Sequence, residues 1–462
     1  MTPIISTLAL GLAIGLSHNA LAAILVYDPA DTIDPADWAA DNDIYADYTA
    51  AFHSSQPSEI QGRYVFNENS TVMDHEDFST DKNDTSVILV TDGAGLDLSY
   101  SKIEKWGYYS NLNDASFWGY NAAINVANTS LVNLDHVNIT VHNGAANVYS
   151  YGTGTVVTIA NSWLYSSGPA SHGIYASGNG TAYVENVKGF SGGMRSSIYS
   201  GDSPAGYIHV RDSTGHTQGV GSACFYALGL IDAENVECDT EKAPTLFMDS
   251  DQNATLVGVS ARAGMLASTV MFSSATRMEG AVLNLVDTRL ESTGDDMPGL
   301  WFGNVVAQAT IVGSDIVTKS GVLVVANTSQ VTQEFDHFAG YEENASIQPA
   351  IVDVWVGESV LRGDLAAYNG SVVNWNLGNY STWLGKAYYG YGTAGFNVTL
   401  DRTASWNLTG DTEVQVFWDE DCTLGNVYGG GFNIMYNQSA EGNAWLGGST
   451  KELGGGGSLM PY

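Results

Sequence analysis

The chain has 462 residues, with 50 acidic side chains against 16 basic ones, a formal charge of −34 and a pI near 4.2. Such a surface repels nucleic acid, anionic lipid and polyanionic polysaccharide, and it is compatible with neutral glycans, cationic partners, Ca²⁺ or plain extracellular solubility. Length alone allows two or three domains, but no Pro-rich, Ser-rich or charged linker divides the chain, so one elongated domain is expected.

Residues 1–22 read as a signal peptide: an apolar run from Ile4 to Leu16 precedes Ala20-Leu21-Ala22, a small-x-small site. The run is too short to span a bilayer and nothing later is longer, which predicts a secreted, soluble protein, extracellular or at the cell surface. Sequons at Asn69, Asn83, Asn128, Asn138, Asn179, Asn253, Asn327, Asn344, Asn369, Asn379, Asn397, Asn407 and Asn437 suit that route. The turn at Asn179 is a better acceptor than the tightly patterned Asn138. Residues 23–85 are acidic and lack a strand period, with a short helix predicted between Ala39 and Phe52. They are expected to cap the open amino-terminal end of a stack of strands.

From Ser86 the chain becomes strand-like, and after an aromatic insertion around Trp106 to Trp118 one pattern returns eight times. Taking His136, Asn161, Asn186, Asp212, Asn235, Ser260, Asp287 and Ser314 as one recurring polar position, the steps are 25, 25, 26, 23, 25, 27 and 27 residues. Four residues before it stand Val132, Val157, Ala182, Ile208, Ile231, Leu256, Leu283 and Thr310. Two before it stand Leu134, Ile159, Val184, Val210, Ala233, Gly258, Leu285 and Val312. These nearly apolar columns flank a polar or aromatic one, a period of two that marks strands. A third inward column, Ile139 to Val317, comes three residues after the marker, which is therefore a turn between two short strands. A unit of about 25 residues cannot bury its apolar columns alone, and stacking copies along an axis buries them continuously. The array predicts an all-β parallel β-helix of eleven or more turns over 86–446, interrupted at 331–348 and succeeded by a Gly-rich tail, 447–462, expected to be disordered.

These columns, with Gly152-Thr153-Gly154-Thr155, Gly178-Asn179-Gly180-Thr181 and the unit Trp406 to Asp411, resemble right-handed parallel β-helix proteins of the pectin-lyase-like superfamily. The resemblance covers residues 86–420 and implies the fold. That superfamily includes glycan lyases and hydrolases, which work in a groove along one flank, and surface proteins without catalysis.

The chemistry is sparser. Thr293-Gly294-Asp295-Asp296 resembles one of four polygalacturonase motifs, and Ser171-His172-Gly173 matches another only out of order. Asp295, Asp296 and His172 are therefore the catalytic candidates, paired carboxylates being able to serve as acid and base across a glycosidic bond. Turn chemistry accounts for the same residues. Asp249-Ser250-Asp251 and Asp419-Glu420-Asp421 are the carboxylate clusters for an incidental Ca²⁺. Arg195, Arg211, Arg262 and Arg289 recur at rung spacing without obvious acidic partners. Arg362-Gly363-Asp364 is read as a structural turn. Cys224 and Cys238 lie on neighbouring turns and can pair, leaving Cys422 free or bonded elsewhere. Two functions are expected: a monomeric, noncatalytic protein binding glycan or a cell-wall component through a rigid acidic flank, or a glycan-active hydrolase or lyase with a rearranged site. An enzyme acting on a small metabolite is a third. A cleft framed by insertions 104–120, 331–348 and 386–396 and holding carboxylates favours the enzyme.

Overall fold

The computed structural model describes residues 35–42, 53–56, 58–143, 146–202, 205–340 and 345–462, so the expected signal peptide, most of 23–52 and the Asn344 sequon lie outside it. The chain is a β-solenoid of about 16 turns of some 25 residues each, its coils stacked in parallel. One face is a 13-stranded sheet running from Gly62–Phe66 to Ala387–Tyr389. The other two faces meet at the recurring corner: strand Val156–Ser166 pairs through its first half with Leu131–Asp135 and through its second with Asn138–Val141. No helix among the described residues is long and apolar enough to cross a membrane.

The corner explains the marker residues. His136, Asn161, Asn186, Asp212, Asn235 and Asp287 all have φ between 49° and 54°, the left-handed region that Asn and Asp tolerate because their short polar side chains bond locally. Those side chains also join successive turns. Asn161 Nδ2 donates to Asp135 Oδ1 at 2.8 Å, Asn186 Nδ2 to Asn161 Oδ1 at 2.8 Å, and Asn235 Nδ2 to Asp212 Oδ1 at 3.2 Å.

At two corners the expected register is wrong. Strand pairing places Leu256 opposite Ala233 and Ile311 opposite Leu285, so the left-handed residues are Gly258 (φ 63°) and Gly313 (φ 58°), not Ser260 and Ser314. The inward residues there are Ala254, Leu256, Ala309 and Ile311, whereas Thr310 and Val312 face out. Ser314 is instead the next residue round the corner, where its buried hydroxyl accepts from Thr288 N at 3.0 Å, as Ser162 does from Val137 N. A glycine carries no polar side chain to mark the bend, and the serine just beyond it mimics the missing signal. A slip of one residue reverses the two faces of a strand.

The inward columns fuse into one core from Phe78 to Leu459. Cys224 and Cys238 are joined within it by a disulfide, and Cys422 is free and exposed. Toward the carboxyl end the rungs shorten to between 19 and 23 residues, and Trp375, Trp383 and Trp406, all fully buried, fill the core, with Trp383 and Trp406 stacked at 4.7 Å.

Both ends differ from expectation. Strands Gly62–Phe66, Ser70–Asp74 and Asp77–Thr80 pair with the next turn, so the solenoid begins inside the segment read as a cap. The helix Pro35–Asn42, here α1, lies on the flank, where Asn42 Nδ2 donates to Gly192 O at 3.2 Å and Asp41 meets His142 Nδ1 at 2.8 Å. The Gly-rich tail is ordered: Ser458–Pro461 pairs in parallel with Ile434–Tyr436 and closes the stack.

Candidate functional site

The 13-stranded sheet carries a second, outward column: Tyr149, Tyr175, Ser200, Tyr226, Phe247, Val270 and Trp301 lie opposite one another on successive strands. These rings are buried, Tyr226 only partly, although they point away from the solenoid core, because two insertions cover them. The first is a helix, α2, at Leu112–Trp118, opened by Asn111, whose side chain accepts from Asp114 N at 3.1 Å. It ends at Gly119, at φ 71°, where any Cβ would stand 2.3 Å from the Tyr149 ring. Tyr149 Oη donates to Ser116 O at 2.8 Å and Ser177 Oγ to Phe117 O at 2.8 Å, which fixes α2 on the sheet. The second cover is the hairpin Ser329–Val331 with Phe338–Gly340. Its Phe338 stacks on Trp301 at 3.9 Å, and Phe335 at its tip meets Phe247 at 5.1 Å and Tyr226 at 5.9 Å.

Between the two covers a cleft of about 160 Å³ opens beside Tyr175 and Tyr226, bounded by Phe117 on one side and Phe335 on the other, with Ser200 buried between the two tyrosines. Its polar lining includes His172, Tyr175, Arg195, Ser197, Asp202 and Tyr226 on the sheet side, with Asn113, Ser116 and Gln333 from the two covers. Tyr175 donates its phenolic hydrogen to the Asp202 carboxylate. Burial, reinforced by the Asp202 charge, holds the Tyr175 and Tyr226 phenols well above their ordinary range, so both are neutral donors. His172, 8% exposed, lies 4.3 Å from the Tyr175 ring and 3.3 Å through Nδ1 from Ser200 Oγ. Burial lowers its pKa to about 3, against a hydrogen bond with the Ser197 backbone, so the imidazole is neutral. Arg195 adopts φ 53°, costly for a long side chain, at the corner where its neighbours are Ala170 and Gly221. Its guanidinium lies 5.8 Å from the Phe335 ring.

Of the residues expected to be catalytic, only His172 reaches this cleft. Asp295 and Asp296 are exposed in the turn before Leu300–Gly303, five strands along the same sheet from His172, about 24 Å at the usual interstrand spacing. The three residues are not one site. Insertions 104–120 and 331–348 do frame a cleft with a carboxylate, whereas 386–396 lies at the far end of the sheet. Arg211 and Arg289 do have acidic partners: Arg211 Nη2 meets Glu185 at 2.8 Å, and Arg289 bonds Asp315 on the next turn.

The acidic clusters are engaged locally. Asp249 accepts from Ser274 N at 2.9 Å and Ser250 Oγ at 3.1 Å, and Asp421 accepts from Thr423 N and Gly425 N. Among the described residues, no three His, Cys, Asp or Glu side chains converge as a metal site requires. Asn138 is 8% exposed within its strand, whereas Asn179 stands at a turn with φ 66°. No family model, curated protein or solved structure matches the chain.

Tyr175, Asp202 and Tyr226 escape sequence reasoning because they sit outside the inward columns. The one legible signal is the run Tyr149, Tyr175, Tyr226 at rung spacing, broken at Ser200.

Proposed function

We propose that this is a secreted, glycosylated β-helix protein of the pectin-lyase-like kind that binds a neutral saccharide, one ring deep, in the cleft beside Tyr175 and Tyr226. The observation that carries the reading is the placement of Asp202, Tyr226 and Arg195 between the rings of Phe117 and Phe335 under two insertions. Hydroxyl groups of a sugar are met by a carboxylate acceptor and by phenol and guanidinium donors, while aromatic edges cover its C–H faces. The charge of −34 disfavours polyanionic ligands. Binding without hydrolysis is favoured because, among the described residues, a single carboxylate lines the cleft, and the usual cleavage of a glycosidic bond takes two.

An enzymatic reading is supported by one feature, the strained Arg195 beside a buried Tyr–Asp pair, since such strain and burial gather at active sites. One experiment separates the two. The purified protein is titrated with neutral mono- and disaccharides, the size the cleft admits, and incubated with neutral and acidic polysaccharides; calorimetric binding, reducing ends and unsaturated-uronate absorbance are measured together. Binding of the short sugars without products, weakened at least tenfold in Asp202→Asn, is the expected result. Products lost in Asp202→Asn place catalysis in the cleft, and short-sugar binding that Asp202→Asn leaves unchanged shows that the cleft is not the site.

A further inference from the structure

A second surface lies on another face. Trp355 stands opposite Asn376, Asn376 opposite Thr399, and Thr399 opposite Trp418. The two indoles therefore share one outward column, three rungs or about 14 Å apart. They are 57% and 43% exposed, while Trp375, Trp383 and Trp406 in the same part of the solenoid are wholly buried. Two large exposed rings in register on a flat face, beside a core that takes tryptophan readily, call for an external partner.

The surroundings specify its chemistry. Two residues along, Asp353, Asn374 and Asn397 form a parallel polar column: Asn374 donates to Asp353, and Asn397 Nδ2 donates to Asn374 Oδ1 at 2.7 Å. Asn376, Asn379, Thr399 and Asp401 line the same shallow depression of about 340 Å³ as Trp355. Trp418 is held edge-on by Trp445 at 5.7 Å, which is itself fixed through its Nε1 to Phe417 O at 3.0 Å. Trp418 is preorganised by that contact, and the carboxylates of Asp353, Asp401 and Glu420 on this face exclude an acidic polymer.

We propose that this face is a second glycan-binding surface, taking a neutral, extended, β-linked polysaccharide that runs along the solenoid axis with its sugar C–H faces on Trp355 and Trp418. The inference does not rest on the cleft.

The test is a titration of the full-length protein with cellohexaose and with chitohexaose, read by tryptophan fluorescence, together with cosedimentation on cellulose and chitin powder. Trp355→Ala and Trp418→Ala are each expected to weaken binding at least tenfold, and the pair to abolish it, with unchanged melting curves because both rings are exposed. Asp202→Asn is expected to leave this binding intact, which separates its fate from that of the cleft. Wild-type protein that ignores both oligosaccharides and both powders, or variants that bind as wild type, overturn the proposal. So does a concentration-dependent dimer lost in the double variant, which makes a second copy the occupant. A rise in acrylamide quenching on enzymatic removal of N-glycans also overturns it, because the chain's own glycan at Asn379 then covers Trp355.

Discussion

Ser200 lies directly between Tyr175 and Tyr226 in the outward column of the long sheet, wholly buried beneath His172, whose Nδ1 is 3.3 Å from the serine Oγ and whose ring is 4.3 Å from that of Tyr175. A tyrosine there fits the column's own pattern. Ser200→Tyr is expected to push His172 into the cleft and abolish saccharide binding at a cost of about 1–3 kcal/mol of stability, because the serine is wholly buried and a ring there displaces its neighbours. Calorimetric binding and urea melts check the two halves; a variant that binds normally removes the cleft as the site.

Tyr175→Phe removes the donor to Asp202 and leaves a buried carboxylate short of one partner. A loss of about 1–3 kcal/mol in unfolding free energy is expected, larger than that of the double variant Tyr175→Phe/Asp202→Asn. A double-variant loss equal to the sum of the losses in Tyr175→Phe and Asp202→Asn alone means that the pair is not coupled.

The pH dependence of stability has one identifiable source in Asp419, fully buried, whose pKa burial raises to about 6 despite hydrogen bonds from Asp421 N and Asn426 Nδ2. The unfolded value lies near 3.9. Between those pH values the folded chain holds a proton that the unfolded chain has released, so this contribution is complete below about pH 4 and is lost as pH rises through about 6. Asp419→Asn keeps the oxygen that accepts both bonds, and it is expected to flatten the stability profile between pH 4 and 7 by roughly 1–2 kcal/mol. Urea melts at pH 4.5 and 7 measure it; a profile as steep as wild type assigns the dependence elsewhere.

Lys105 is wholly buried and donates through Nζ to the carbonyls of Lys82, Trp106 and Gly107 at 3.0, 3.3 and 2.6 Å. Burial lowers its pKa to about 7, partly offset by Asp84 and Asp81. From about pH 7 to 10 the unfolded chain binds the proton that the folded chain has released, so stability from this residue rises with pH. Lys105→Met is expected to remove that rise and to cost about 1–3 kcal/mol at pH 7 by orphaning the carbonyls. Melting temperatures at pH 7 and 9.5 report both effects.

Glycan mapping by mass spectrometry on protein from a eukaryotic host is expected to find Asn179 occupied and Asn138 bare. The Asn138 side chain is folded into its strand, and Asn179 stands at a turn between strands. Occupancy at Asn138 means that the glycan is added before this turn forms.

What the sequence determined by itself is the solenoid. Inward columns such as Val132, Val157 and Ala182, and corner residues such as Asn161 and Asn186, repeat because each turn must present the same apolar face and the same left-handed bend to its neighbours. The pairing of Cys224 with Cys238 is legible from their places on neighbouring turns. Where the bend is made by Gly258 or Gly313 the register is not legible, since glycine satisfies the geometry without a polar side chain to mark it. The order of the tail is hidden for the same reason, Gly455, Gly456 and Gly457 serving as left-handed turn residues. The cleft was decided by tertiary structure alone. Leu112–Trp118 and the hairpin that carries Phe335 are more than 200 residues apart in sequence. Only the number of turns stacked between them brings both to the edges of the cleft beside Tyr175 and Tyr226, and a spacing summed over many turns leaves no local trace in the chain.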